Sequence, residues 1–127
     1  MRLIHSLLAA GLGLTLLAGA AYADHHTPAK AAGGVLTNAA GMTLYVFDKD
    51  PAGAGKSVCN GDCAVKWPPL KAGVFDKAAG DYQVVVRDDN DRQWAYKGKP
   101  LYLWFKDQKP GDMTGDGVNN VWHTAKP

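Results

Sequence analysis

Leu44-Tyr45-Val46-Phe47-Asp48-Lys49-Asp50 returns 57 residues later as Leu101-Tyr102-Leu103-Trp104-Phe105-Lys106-Asp107. Both stretches contain Y-x-(F/W)-x-x-D. Each leads into a Gly/Pro-rich loop and then a tryptophan, Trp67 or Trp122. Recurrence of this kind marks a chain built from two copies of one supersecondary unit. On a strand, successive side chains alternate between faces. Tyr45 and Phe47 then share one face, as do Tyr102 and Trp104, while Leu44, Val46, Leu101 and Leu103 take the other. Apolar residues on both faces predict strands covered on both sides, with aliphatics in the main core and aromatics under loops. Asp50 and Asp107 then cap turns by accepting backbone N–H groups just past each strand. The competing functional reading makes Tyr45, Phe47, Tyr102 and Trp104, ended by Asp50 and Asp107, an exposed binding surface. Such a ledge suits a flat or sugar-like ligand or a protein partner. The exposure of Trp104 separates the two readings.

Outward from the repeats, short strands alternate with loops. Val35-Leu36-Thr37 and Thr43 to Phe47 read as strands, and Asp50-Pro51 ends the second. Cys59 to Trp67 is compact and suits a helical turn, stopped by Pro68-Pro69. Tyr82–Arg87 and Arg92–Tyr96 flank Asp88-Asp89-Asn90-Asp91, the pattern of a β-hairpin. Leu101–Phe105 reads as the next strand and Val121-Trp122-His123 as the last. No segment after residue 24 keeps a long 3.6-residue apolar period. The expected fold is mainly β: a small antiparallel domain of two degenerate repeats, about 33–70 and 82–124, with one short helical turn near the cysteines.

The chain has 127 residues, 14 basic and 12 acidic, with a formal charge of +2. That near balance gives no electrostatic case for nucleic acid. All the acids are Asp, which favours turns and caps over helix interiors. Residues 1–23 read as a signal peptide: Arg2 and His5, an apolar run from Leu7, and the A-x-A site Ala21-Tyr22-Ala23. Cleavage there leaves a flexible lead-in, 24–32, and a single domain, 33–127. With no cysteine at the new N-terminus, no lipid anchor is expected after cleavage. The expected location is periplasmic or secreted.

Cys59 and Cys63 are the only cysteines. In an exported chain a pair reads first as a disulfide. A helix holds Cβ atoms four apart at roughly 5–6 Å, whereas a disulfide needs roughly 3.5–4.5 Å. The loop must therefore tighten, and Gly61 supplies the freedom. The first alternative is a thiolate pair for a soft metal with His123 as third ligand; a redox-active pair ranks below it, because the usual spacing for that role is C-x-x-C. After cleavage at Ala23 the chain would start Asp24-His25-His26. A free amine, two backbone nitrogens and the His26 imidazole make a square-planar site for Cu(II), a candidate metal site at His25 and His26. Asp112 to Gly117 resembles the opening of a calcium loop, but the twelfth position is His123 rather than Glu. No side chains pair a nucleophile with a base by their spacing, so no catalytic residue is expected.

Three further pieces accompany the hexads: Cys59-Asn60-Gly61-Asp62-Cys63-Ala64-Val65-Lys66-Trp67-Pro68-Pro69, then Trp94 to Tyr102, then Lys109 to Gly117 leading to Trp122. In this order they resemble a family of bacterial secreted proteins and lipoproteins characterised by the Y-x-(F/W/Y)-x-x-D motif. The resemblance implies export and no established activity. The expected function is a non-enzymatic binding or interaction module with an unidentified ligand or protein partner. The alternative is a periplasmic copper-handling protein.

Overall fold

The computed structural model describes residues 27–127. The signal peptide at 1–23 and the copper site at His25 and His26 lie outside the described residues. Seven short strands form three antiparallel sheets: β1 (Lys30–Ala32) with β2 (Val35–Thr37), β3 (Tyr45–Phe47) with β7 (Trp122–Thr124), and β4 (Tyr82–Val86), β5 (Arg92–Tyr96) and β6 (Lys99–Pro100) in that order. One helical turn, α1 (Asp62–Lys66), follows the first cysteine, and a 3-10 turn (Val118–Asn120) precedes β7. The fold is the mainly β domain the sequence predicts.

The hairpin forms where the sequence places it, with Tyr82 opposite Tyr96 and Val86 opposite Arg92. Asn90 sits at the tip with φ 70°, a conformation Asn tolerates better than most residues. Two sequence expectations need correction. Lys30–Ala32, placed in a flexible lead-in, is β1: Ala31 pairs with Leu36, and Ala29 just before it is buried. Leu101–Phe105 is not a regular strand. Tyr102 makes isolated bridges to Tyr45 and Pro69, and the chain then turns, with the Asp107 N–H donating to the Trp104 carbonyl at 3.1 Å. The first hexad turns in the same way, Asp50 N–H to Phe47 carbonyl, also at 3.1 Å. The hexad is thus a strand followed by a turn that begins at its aromatic third position.

The two copies meet at their first tyrosines. Tyr45 and Tyr102 exchange both backbone hydrogen bonds, at 2.8 and 2.9 Å. Around this pair the bonding repeats with the halves interchanged. Asp48 N–H reaches the carbonyl of Val121, before Trp122, and Phe105 N–H reaches that of Lys66, before Trp67. Ala125 N–H reaches Leu44 as Leu70 N–H reaches Leu101. Each repeat therefore lends its Trp-bearing segment to the strand of the other. This exchange is the physical content of the sequence repeat: the hexad of each copy is bonded to the Trp-bearing segment of the other.

The alternation of side chains divides the core as expected. Leu36, Leu44, Leu101 and Ala125 form one apolar cluster, with Val46 and Leu103 packed against it. Tyr45, Phe47, Tyr102, Trp67, Trp122 and Cys59 form the other. An aromatic side chain buries 150–250 Å², so the second cluster carries much of the apolar burial of the domain.

Candidate functional site

The aromatic cluster is a stack. Phe47 lies on Trp122 with centroids 4.2 Å apart and planes 11° apart. Trp122 lies on Trp67 at 3.8 Å and 4°, and Trp67 on Trp104 at 4.0 Å and 31°. The four rings follow the symmetry of the fold: the third-position aromatic of each hexad caps the Trp from the opposite repeat. Gly115 lets the column close. A Cβ there would come within 2.8 Å of Trp104 and 2.9 Å of Trp67. Trp104 is half-buried, and its indole N–H is buried with no acceptor among the described residues.

This arrangement corrects the exposed-ledge reading. Tyr45 and Tyr102 have no exposed surface, and Phe47 is 8% exposed. Tyr45, Phe47 and Tyr102 are core, and Trp104, whose exposure separates the two readings, is half-buried against the column. Asp50 and Asp107 do accept backbone N–H groups, but from Val58 at 2.8 Å and Thr114 at 3.0 Å, several residues past the strand. Their second role was not visible in the motif. The Tyr45 hydroxyl donates to Asp107 Oδ2 at 2.6 Å, and the Tyr102 hydroxyl donates to Asp50 Oδ2. Each Tyr thus binds the Asp of the other repeat. Within one hexad the turn after the third position carries the Asp away from the strand that holds its own Tyr. Burial, together with the carboxylate acceptor, raises both phenols far above the ordinary tyrosine range. Burial likewise raises Asp50, opposed by the bonds from Tyr102 and Val58.

Around Asp50 the polar network continues inward. The Tyr102 hydroxyl shares a 2.6 Å hydrogen bond with Ser57, and the Arg87 Nη1 donates to Ser57 at 3.0 Å and to Gln93 at 2.6 Å. Arg87 Nη2 donates to the Cys59 carbonyl. The guanidinium is almost wholly buried, because Arg87 alternates onto the same inward face of the hairpin as Val85. Sequence reasoning missed Arg87. An arginine beside a charged hairpin tip carries no burial signal except that two-residue alternation.

Cys59 and Cys63 form the predicted disulfide, which rules out free thiolates for a metal with His123 in this state. Instead His123 Nε2 and Asp48 Oδ2 lie 2.8 Å apart on the surface. No nucleophilic side chain hydrogen-bonds to the imidazole among the described residues. The calcium reading also fails locally. The Asp112 carboxylate binds the Gln108 and Lys109 N–H groups and the Lys109 ammonium, and Asp116 accepts from Thr124 N–H. No group of three His, Cys, Asp or Glu side chains converges among the described residues.

One surface depression joins several of these parts. A groove of about 350 Å³ is lined by Phe47, Trp67 and Trp122, by Cys63, and by Lys49, Asp62, Lys66 and Asn119. Its floor is the edge of the ring column. Its rim holds two ammonium groups, a carboxylate and an amide, from the first hexad, from α1 and from the 3-10 turn.

A family described as a secreted repeat of unknown function matches residues 27–71 and 83–126. The chain belongs to this family of secreted repeats. The two matches coincide with the interlocked halves, and the gap between them holds the loop before the hairpin. No curated protein and no solved structure matches the chain. No helix among the described residues is long and apolar enough to cross a membrane.

Proposed function

We propose that this secreted-repeat protein is a non-enzymatic binding module of the periplasm that holds a small polar ligand with a flat apolar face, such as a sugar ring, in the groove over the aromatic column. The supporting observation is the groove itself. Its volume, about 350 Å³, falls in the range of about 300–1,000 Å³ usual for small-molecule sites. Ring edges below and donors and acceptors of both charges at the rim match a ligand that is apolar on one face and hydroxylated at its edge. The stacked rings cannot rearrange without opening the core, so the floor is rigid before binding, which limits the ordering cost of association.

The test is amide chemical-shift mapping of the labelled mature protein against a panel of mono- and disaccharides. The reading expects saturable shifts at Lys49, Asp62, Lys66 and Asn119, weakened by Lys66→Ala. Shifts clustered on another surface, or none up to tens of millimolar sugar, would sink it.

A further inference from the structure

The disulfide is asymmetric. Cys59 has no exposed surface and packs in the aromatic cluster. Cys63 is half-buried and lines the groove. It sits on α1, none of whose residues is buried. An incoming thiol can therefore reach one sulfur and not the other, and access decides which sulfur is attacked. Lys49 and Lys66 line the same groove, and their ammonium groups favour the approach of an anionic thiolate over the opposing charge of Asp62.

The backbone of Cys59 has an unusual neighbour. Arg87 is 3% exposed, and its hydrogen-bond acceptors are all uncharged: Ser57, Gln93 and the Cys59 carbonyl. Cys59 is held from its other side too, its N–H donating to Ser57 Oγ at 3.1 Å. A cation taken out of water without a direct counter-charge is costly. Asp50, the buried carboxylate of the same network, is reached only through Tyr102 and Ser57 and is occupied by Tyr102 and the Val58 N–H. A thiolate on Cys59 would put an anion on the residue whose carbonyl the guanidinium already binds.

We propose that Cys59–Cys63 is a thiol–disulfide exchange site, opened by an external dithiol that attacks Cys63 from the groove and leaves Cys59 as a thiolate beside Arg87. In the first step the donor thiolate forms a bond to Cys63 Sγ, the Cys59–Cys63 bond breaks, and Cys59 departs with the electron pair. In the second step the other donor thiolate attacks the mixed disulfide and releases Cys63. The donor dithiol becomes a disulfide and the protein a dithiol, a balanced two-electron exchange of one donor per chain. This goes beyond sugar binding and does not depend on it.

Two measurements test the proposal. In the first, the unaltered oxidised protein is reduced with dithiothreitol, quenched with acid and weighed, folded and in denaturant. The folded chain should react about tenfold faster than the unfolded one, as expected of an accessible sulfur in a cationic setting, and glutathione adducts should map to Cys63. A folded disulfide that reacts more slowly than the unfolded one, or adducts on Cys59, would overturn it. The second follows thiolate absorbance against pH in Cys63→Ser. Cys59 should ionise below the ordinary thiol value of about 8.5, and Arg87→Gln should move that midpoint up. Ionisation of Cys59 at or above the ordinary value also overturns the proposal. If either variant fails to fold, the kinetics of the unaltered chain decide alone.

Discussion

Replacing Tyr102 by Phe removes one oxygen from the place where the two repeats are tied most tightly. That hydroxyl donates to Asp50 and shares a 2.6 Å bond with Ser57. Asp50 is 1% exposed, so no bulk water replaces the lost donor. A hydrogen bond to a charged group contributes about 1.5–3 kcal/mol, and stranding a buried partner costs the upper part of that range. The expected loss is about 3 kcal/mol. Tyr45→Phe removes the equivalent oxygen, which also accepts the buried Gly115 N–H at 3.2 Å. Asp107, however, is half-buried and keeps Thr114 as donor through both N–H and hydroxyl, at 3.0 and 2.7 Å. The expected loss for Tyr45→Phe is about 2 kcal/mol. For a domain of this size each kcal/mol moves Tm by about 4–8 °C. Tyr102→Phe should therefore lower Tm by about 12 °C or more and Tyr45→Phe by about 8 °C. Urea denaturation of both variants, with the disulfide intact, measures the difference directly. A double-mutant cycle then asks which Asp each Tyr feels: Tyr102 should couple to Asp50 by about 1–3 kcal/mol and show no coupling to Asp107. Equal losses for the two Tyr variants, or coupling within a hexad instead of across, would refute the exchanged arrangement.

Gly115→Ala should destabilise by about 1–3 kcal/mol, because the new methyl meets Trp104 and Trp67 at under 3 Å; thermal denaturation followed by near-UV circular dichroism checks it. Trp104→Phe should cost under about 1.5 kcal/mol despite the lost area, since it also removes an indole N–H buried without an acceptor. Trp67→Ala should cost about 3–5 kcal/mol, and chemical denaturation of the pair shows whether the order holds. Alkaline pH supplies a further test. The folded phenols of Tyr45 and Tyr102 are raised, so their contribution is complete below the unfolded value of about 10 and is lost as pH rises above it. Stability should then fall by up to about 1.4 kcal/mol per pH unit for each tyrosine, and absorbance at alkaline pH should show both ionising only on unfolding.

The helical turn near the cysteines and the hairpin were legible because their signals are local. Tyr82–Val86 and Arg92–Tyr96 alternate around four turn-forming residues, and Cys59 to Trp67 ends at two prolines that no helix continues through. The division of Tyr45 and Phe47 from Leu44 and Val46 followed from the two-residue period alone. What escaped the sequence was non-local. Nothing adjacent to Tyr102 says that its partner is Asp50, 52 residues earlier. Each copy supplies a phenol and a carboxylate, but their pairing across copies depends on the turn after the third position, which the residue types do not announce. The turn after Trp104 was hidden because Phe105 looks like a strand residue. The chain turns there because Asp107 must come back to the Tyr45 hydroxyl. Lys30–Ala32 gave no sign of being a strand, since its side chains are small or exposed and its place comes from backbone pairing with Val35–Thr37.

The symmetry of the core also shows where to look for chemistry. The hexad tyrosines and acids are consumed in holding the halves together, so most of the repeated hexad is structural in this chain. The proposed chemistry draws mainly on positions where the two copies differ. The Cys59–Cys63 clasp and α1 belong to the first copy only. At the corresponding place the second copy offers Gly115 and the Val118–Asn120 turn instead, and from that turn Asn119 faces Lys49 and Lys66 across one groove. The buried Arg87 is likewise unmatched. In the first copy β1 and β2 are joined by Gly33-Gly34, and, among the described residues, the buried polar side chains of that copy include no arginine. The disulfide and the buried guanidinium both break the repeat, and the Cys63 end of the disulfide reaches the groove. The repeated core is thus scaffold, and the chemistry proposed for this chain is placed at the positions around the groove that break the repeat.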